Sequence, residues 1–466
     1  MKCFVIVVGS SYRKSKCAAS AALVGLAVFL AICSDRAHAQ AFSTLLSFSG
    51  TNGESPLRKL ALSGSTLYGI TFQGGADNEG VIYGLPVTGG SATILASLNQ
   101  STGCLADSGP SFNGSTLYGM TEFWGPHGGG TIFSLPMSGG TPTVLLSFGG
   151  SNGTYPVGNV TLSGSTLYAA VSGGGTGYDG ILIGMPVTGE TATTLLTFSG
   201  TSGASLGSSP VGSLTLGGTT LYGTTLYGGT KNQGTVFKVN TDGSGFQSLL
   251  SFSGTNGINL GASPWCDLTL SGQVLYGTTE AGGTDNLGTV FKINTDGTGF
   301  RDLLNFNGGN GAAPHCSLAF SGSTLYGTTE LGGANNDGSI FSLGTDGSHF
   351  TELFDFDGVD GEQPDELMLS GSTIYGVAQY GGLGYGGKAY SGDGTVYALT
   401  LNAMPEPSTL GLLAAGAACL AGLGLRRRRR LRREGHAIPC SQDDAPIMLS
   451  FSLRQGHRRN AVRRAA

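Results

Sequence analysis

The segment STLLSFSG, residues 43–50, decides the fold, because it recurs later in the chain in a different setting. Close variants occur at residues 143–150 (TVLLSFGG), 193–200 (TTLLTFSG) and 247–254 (QSLLSFSG). Each of those copies ends a longer repeated unit, whereas the copy at 43–50 stands first and has no unit before it. The folded part of the chain therefore begins with the end of a repeat.

A tyrosine in the motif LYG, or in a variant of it, marks the repeat. Successive marks are 50, 50, 54, 54, 50 and 49 residues apart. Seven copies with a period near 50 residues indicate a repeat architecture, and this period is kelch-like. The seven marks are Tyr68, Tyr118, Tyr168, Tyr222, Tyr276, Tyr326 and Tyr375.

Each unit contains four short strand signals. In the sixth unit these are CSLAFSG (316–322), STLYGTTE (323–330), GSIFSLG (338–344) and TELFDFDG (351–358). Ser-Gly and Thr-Asp-Gly predict tight turns between the first and second and between the third and fourth strands. The second-to-third and fourth-to-next-first connections are longer loops, and both kinds leave from the same end of an up-and-down sheet.

The strand signals number 28, seven of each kind, but the seventh unit lacks a fourth strand. The segment 43–48 supplies the missing one. In LYG, Leu and Tyr point to opposite faces of one strand, so both faces must be covered, as in blades packed between neighbours. We therefore predict an all-β, seven-bladed β-propeller of four-stranded blades, closed by the N-terminal strand. An open β-solenoid is the alternative, and it would leave the strand count unexplained. The residue after the repeated Tyr is small, Ala169 in the third unit and Gly in the others, which predicts room for the aromatic ring of a neighbouring blade.

The first 39 residues have the order of a secretory signal peptide. Lys2, Arg13, Lys14 and Lys16 precede an apolar run at 17–33, and the small-x-small site ends at Ala39. Cleavage by signal peptidase is expected there. A transmembrane anchor is the alternative.

A second apolar segment lies near the C-terminus, between Pro405-Glu406-Pro407 and an arginine cluster at 426–433. Its 16 residues, 410–425, would extend roughly 24 Å as a helix, less than the ~30 Å hydrocarbon core. Such a segment predicts a short membrane anchor with its arginines in the cytoplasm and the repeats outside. The basic tail at 434–466 has no clear period and is predicted to be disordered.

Both regions resemble known families. The C-terminal combination resembles the PEP-CTERM sorting signal of Gram-negative bacteria. That resemblance implies export, anchoring in the inner membrane through 410–425, and exosortase cleavage near Pro405, Glu406 and Pro407. It also implies a cell-surface or extracellular location after cleavage, often alongside exopolysaccharide production.

The motifs STLYGTTxxGG and GTVFxL, clearest at 219–239, 274–293 and 323–343, resemble the Gloeo/Verruco (GloVer) tandem repeats. No activity follows from that family. The resulting domains are 1–39, 41–403, 404–433 and 434–466.

The exported region, 41–403, is acidic, with 7 Lys and Arg against 24 Asp and Glu, a formal charge of −17. This balance argues against nucleic acid as a partner and favours cations, neutral sugars or basic surfaces. Solubility alone is the alternative reason for it. We predict no catalytic site: His127, His315 and His349 fall in different units, and no nucleophile elbow is present.

The long loops contain the candidate ligand-binding residues Trp124, Trp265, Asp285 and Asn335. Ordinary turn chemistry is the alternative for the polar pair, and packing against a blade is the alternative for the tryptophans. The stretch DFDGVDGEQPDE contains Asp355, Asp357, Asp360 and Glu362, a possible calcium site without EF-hand spacing; an acidic turn is the alternative. No other cofactor is expected.

Cys266 and Cys316 occupy matching repeat positions, so a disulfide between them is one possibility.

For function three hypotheses remain. The first is a non-enzymatic matrix or envelope protein, linked to exopolysaccharide or biofilm, that binds an extracellular glycan or protein. The second is a polysaccharide-cleaving enzyme, and the third is a structural envelope protein without a ligand.

Overall fold

The structure is a computed structural model that describes residues 41–401 except Glu190, Cys316 and Ala389. Its strands form seven separate antiparallel sheets that follow one another along the chain as the blades of a propeller. The predicted seven-bladed all-β architecture is confirmed. Both terminal segments and the predicted membrane helix at 410–425 lie outside the described residues. Within the described part, no helix is both long enough and apolar enough to cross a membrane.

The inner strand of each blade is built from the first strand signal of its repeat. Inner strands of neighbouring blades contact one another, as β16 does with β12 and β20, and this places them around the propeller axis. In chain order the inner strands are β2 (Glu54–Pro56) with β3 (Ala61–Ser63), β7 (Ser111–Asn113), β11 (Thr154–Pro156) with β12 (Thr161–Ser163), β16 (Ser208–Gly217), β20 (Thr269–Ser271), β24 (Ala319–Ser321) and β28 (Glu362–Ser370).

The second strand of each blade carries the repeated tyrosine, and the third pairs with it in register, so that Tyr276 lies opposite Lys292. The second strands are β4 (Thr66–Gln73), β8 (Thr116–Thr121), β13 (Thr166–Gly173), β17 (Thr220–Tyr227), β21 (Val274–Thr279), β25 (Thr324–Thr329) and β29 (Thr373–Tyr380). The third strands are β5 (Val81–Pro86), β9 (Thr131–Pro136), β14 (Ile181–Pro186), β18 (Thr235–Asn240), β22 (Thr289–Asn294), β26 (Ser339–Gly344) and β30 (Thr395–Thr400).

The outer strand of blade 7 comes from the other end of the chain. β1 (Ala41–Ser47) pairs with β30, and the sheet order is β1-β30-β29-β28. The other outer strands are β6 (Thr93–Ser97), β10 (Thr143–Ser147), β15 (Thr193–Thr197), β19 (Gln247–Ser251), β23 (Arg301–Asn305) and β27 (Thr351–Asp355). The prediction that residues 43–48 complete the last blade is confirmed.

Each of the seven interfaces between blades has its own hydrophobic cluster. At the interface of blades 7 and 1, Leu46 and Phe48 pack with Leu60, Leu67 and Tyr83. The phenylalanine of the SFSG motif and its variants is fully buried in every blade that has it, because it fills the space between two blades. These residues are Phe48, Phe148, Phe198, Phe252, Phe306 and Phe356, and Leu98 takes the position in blade 1. The ring is therefore closed by packing as well as by strand pairing.

Two features differ from the sequence prediction. The structure has 30 strands rather than 28, because the inner strands of blades 1 and 3 are each divided into two, with gaps at 57–60 and 157–160. The aromatic ring beside each LYG glycine comes from the third strand of the same blade, not from a neighbouring blade: a Cβ on Gly277 would lie 2.7 Å from Phe291. Since Cys316 lies outside the described residues, its disulfide with Cys266 stays a prediction.

Candidate binding site at the propeller axis

At or just before the inner strand of every blade, one residue adopts the left-handed conformation, with φ between 49° and 60°. Its backbone N–H donates to a loop carbonyl of the preceding blade, as Ser263 does to Gln233 at 3.1 Å. A proline follows in six of the seven blades, with Ala106 in the other. This turn fixes the direction of the next side chain. The left-handed residues are Ser55, Leu105, Tyr155, Ser209, Ser263, Ala313 and Gln363.

The residue two positions after each left-handed residue belongs to a ring around the axis. Five members line a pocket of about 170 Å³, together with Arg58, Glu330, Gln363, Pro364 and Gln379. The other two, Val157 and Val211, pack together beside Trp265. Because residues of blades 1, 2, 5, 6 and 7 meet here, the pocket lies at the axis, on the long-loop end. The ring is Leu57, Asp107, Val157, Val211, Trp265, His315 and Asp365.

Arg58 connects four blades from a position that is 2% exposed. Its Nε and Nη2 donate to the two carboxylate oxygens of Asp107 at 2.6 and 2.8 Å, and its backbone N–H donates to Asp365 Oδ2 at 2.9 Å. Its Nη1 lies 3.7 Å from Glu366 Oε1, and its guanidinium carbon is 5.8 Å from the centroid of the Trp265 ring. Burial alone would lower the pKa of Arg58, but the three carboxylates hold it well above the ordinary value.

Trp265 and His315 form one wall of the pocket. Their rings are stacked, with centroids 5.0 Å apart and planes 20° apart. His315 Nε2 lies 3.6 Å from Glu280 Oε2. Burial would lower the pKa of His315, but Glu280 and more distant carboxylates raise it. The pKa of Glu280 is lowered in return, first through its interaction with His315.

Several buried polar atoms at this site have no hydrogen-bond partner among the described residues. Two belong to residues that line the pocket, Asp365 Oδ1 and Arg58 Nη1, and the other two are the carboxylate oxygens of Glu366, which lies beside Arg58. Burial raises the pKa of Asp365 and of Glu366, and the Arg58 charge opposes the rise in both. A folded protein rarely leaves buried polar groups unsatisfied, so such a cluster beside a cavity points to a bound partner.

Further carboxylates lie at the ends of second strands. Glu330, half-buried, lines the pocket; burial, followed by Asp365 and Glu280, raises its pKa. Glu122 has the equivalent position in blade 2, where burial and Asp107 raise its pKa to about 7. Arg58 is the one arginine in the pocket lining, which also contains the carboxylates of Asp107, Glu330 and Asp365. The pocket is therefore acidic.

The structure separates the four predicted ligand-binding residues. Trp265 lies in the pocket, whereas Trp124 is in a long loop of blade 2 and is 48% exposed. Asp285 is exposed in a loop of blade 5. Asn335 is also exposed and donates to the Phe356 carbonyl at 2.9 Å, which is a loop-holding role. Only Trp265 therefore belongs to the pocket.

The four residues of the predicted calcium site have separate contacts. Asp357 Oδ1 accepts from the backbone N–H groups of Val359 and Asp360, as in an acidic turn, and Glu362 accepts from the Tyr390 N–H. Asp355 interacts with Glu352, which raises the pKa of Glu352 to about 7. No three His, Cys, Asp or Glu residues in the described chain are grouped to hold a metal ion. Calcium binding stays a prediction.

The sequence interpretation did not assign Arg58, Asp107 or Glu330 to a site, placed Asp365 only in the acidic stretch 355–366, and counted His315 only as an isolated histidine. The signal that could have found most of them is the aligned dipeptide after the left-handed residue. It reads Pro-Trp, Pro-His and Pro-Asp in blades 5, 6 and 7 but Pro-Val in blades 3 and 4. Polar and aromatic residues thus replace valine on one side of the ring.

Exposed apolar side chains concentrate on the same end of the propeller as the pocket. Eight of the eleven large ones lie in or beside long loops. Four of the eight are aromatic residues of neighbouring blades 2 to 4, and a fifth is an aromatic residue of blade 7. The eight are Trp124, Tyr155, Tyr178, Tyr227, Ile258, Val359, Leu383 and Tyr390.

The sequence profile of the Gloeobacter/Verrucomicrobia repeat matches residues 32–209 and 204–390. The chain belongs to the Gloeobacter/Verrucomicrobia repeat family. In this family member a second profile, the PEP-CTERM protein-sorting motif, matches residues 405–429. This motif is a substrate signal for exosortase processing, so the repeat protein is exported and sorted at the membrane to the surface. Both predicted resemblances are confirmed. No protein of curated function matches the sequence.

Solved structures similar to this repeat protein are distant. An oligogalacturonate lyase from Vibrio parahaemolyticus is 11% identical over 78% of this chain and 97% of its own, with a TM-score of 0.46. An aldose sugar dehydrogenase from Streptomyces coelicolor, bound to PQQ, is 14% identical over 78% and 98%, with 0.43. TolB from Acinetobacter baumannii is 15% identical over 59% and 60%, with 0.38. These values carry no argument about activity.

Proposed function

We propose that this exported propeller is a non-enzymatic binding protein for an extracellular glycan, associated with exopolysaccharide or biofilm. The single observation that carries the proposal is the long-loop end. Exposed aromatic side chains there surround an axial pocket with Trp265 in its wall and buried, unsatisfied polar atoms at its base. Aromatic faces stack on sugar rings, and carboxylates and amides accept or donate hydrogen bonds to hydroxyl groups.

The location of the chain ends supports the same role. Ala41 and Thr400 pair at the end of blade 7 from which the tight turns leave, opposite the long loops. The sorting motif follows within five residues of Thr400. The chain therefore leaves the propeller toward its sorting motif at the end opposite the pocket.

A glycan array probed with the purified protein tests the proposal. We expect Trp265→Ala to weaken binding by about ten-fold or more, as is usual for a central aromatic contact, and Trp124→Ala, at an exposed loop outside the pocket, to weaken it less. Phe112→Ala is the matched control, because Phe112 is an aromatic residue of similar exposure, 37%, near the tight-turn end. Absence of any bound glycan would contradict the proposal. Release of soluble sugar from the host's own polysaccharide would instead indicate the glycan-cleaving enzyme.

A further inference from the structure

The axial pocket contains one buried carboxylate oxygen with no hydrogen-bond partner among the described residues. Asp365 is 8% exposed and lines the pocket; its Oδ2 accepts the Arg58 backbone N–H, while its Oδ1 accepts nothing. Removing a carboxylate from water without a compensating donor is unfavourable. A ligand that donates to Asp365 Oδ1 would recover that free energy.

The charges around this oxygen favour a cationic donor. The guanidinium of Arg58 is engaged with Asp107 through two short hydrogen bonds, so it neutralises that residue first. His315 is paired with Glu280. This leaves Asp365 and Glu330 as the pocket carboxylates without a cation of their own, since burial raises the pKa of Glu366 to about 8 and that residue does not line the pocket. A neutral ligand would satisfy a hydrogen bond here, but a protonated amine would also offset the charge.

The aromatic wall favours a ring over a linear side chain. The Trp265 indole, stacked on the His315 ring, gives this wall of the pocket an aromatic surface. The volume of about 170 Å³ suits a single small ring rather than an extended chain. A pyranose can lie against such a wall while a substituent on the ring points to the carboxylates.

We propose that the axial pocket binds a hexosamine residue that carries a free, protonated amino group, with the ammonium at Asp365 and Glu330 and the sugar ring against Trp265. The inference rests on the proposed function, since it names the sugar class that the same pocket takes. It differs from glycan binding in general because it requires the amine to be unacetylated.

Isothermal titration calorimetry on the purified protein at pH 7 tests the inference with three β-1,4-linked tetramers, of glucosamine, of N-acetylglucosamine and of glucose, and with tetralysine. We expect the glucosamine tetramer to bind about ten-fold or more tightly than the other two sugars, as for a charge-assisted hydrogen bond. Equal binding of the three sugars overturns this inference and leaves the proposed function intact. Binding of tetralysine alone overturns it in favour of a basic protein partner. No binding here or on the array overturns both proposals.

Substitutions at the two carboxylates provide the second test. Asp365→Asn and Glu330→Gln preserve size and remove charge, and each should abolish most of the preference for the glucosamine tetramer over the glucose tetramer. Glu330→Gln is included because Asp365 also holds the Arg58 backbone. Asp285→Asn, at an exposed loop of the same end, is the control and should retain the preference. An equal loss of affinity for every sugar in both carboxylate variants would contradict the inference.

Discussion

Ala41 lies opposite Thr400 in the outer ladder of blade 7, so the first and last strands of the propeller are neighbours. Further along, the Phe48 N–H donates to the Gly394 carbonyl at 3.0 Å. The same bond joins the outer strand to the third-strand loop in every other blade, as from Phe148 to Gly130. The N-terminal segment therefore makes the contacts of an ordinary fourth strand, but across the closure of the ring.

Deletion of residues 41–50 should open the ring and lower the melting temperature sharply. The deletion exposes the edge of β30 and removes Leu46 and Phe48 from the interface of blades 7 and 1. Phe48→Ala alone should cost about 3–5 kcal/mol of unfolding free energy, the usual range for a buried Phe. Differential scanning calorimetry and denaturant unfolding measure both effects.

Phe48→Leu is the control for that experiment. Leu98 occupies the equivalent position in blade 1 and is equally buried, so the fold already accepts leucine there. The substitution should cost less than about 1.5 kcal/mol. A truncated protein that melts at the temperature of the full chain would show that closure by 41–50 does not stabilise the propeller.

A second prediction concerns the small residue after the repeated tyrosine. Gly277 faces Phe291 on the next strand, and a Cβ there would lie 2.7 Å from the ring. In blade 3 the corresponding pair is Ala169 and Ile183, so the alanine occurs where the aromatic ring is absent. Gly277→Ala should therefore destabilise the protein by about 1–3 kcal/mol through overpacking.

The double variant Gly277→Ala/Phe291→Ile reproduces the pair of blade 3 and should recover at least about half of that loss. A double-mutant cycle, measured by urea unfolding, gives the coupling between the two positions. Gly386→Ala is the control, because a Cβ there meets no atom within 4 Å and its φ is not positive; it should change stability by less than about 0.5 kcal/mol. Additive effects of the two substitutions would refute the pairing.

The sequence predicts the fold far better than the pocket, and the reason is the range of the interactions. The spacing of the strand signals and the turn residues are local features that recur along the repeats. The segment 43–50, which has no unit before it, is equally visible in the sequence. Arg58 and Asp365, by contrast, are 307 residues apart, and nothing near Arg58 shows that it is buried. The sequence predicts Trp265 as a candidate because it is an aromatic residue in a long loop, which Trp124 is as well. Which loop residues face the axis depends on a left-handed turn that residues as different as Ser55 and Gln363 adopt.

The last prediction is that the propeller is more stable in mild acid than at pH 8. Burial first, and then Asp107, raises the pKa of Glu122 to about 7, so the folded state holds this proton at a pH where the unfolded chain has lost it. The stabilisation from a raised pKa is complete below the unfolded value near 4.5 and is lost as pH rises through about 7. Glu366 and His315, whose pKa values are also raised, act in the same direction.

Urea unfolding at pH 5, 6, 7 and 8 measures this dependence. Glu122→Gln should flatten the decline in unfolding free energy between pH 5 and pH 8, because the amide does not titrate. Asp346→Asn is the control: hydrogen bonds from Ser348 lower the pKa of this exposed carboxylate, so its contribution is lost only as pH falls below about 4. The control should therefore keep the slope of the unsubstituted protein above pH 5. A free energy that rises from pH 5 to pH 8 would contradict the burial of these carboxylates.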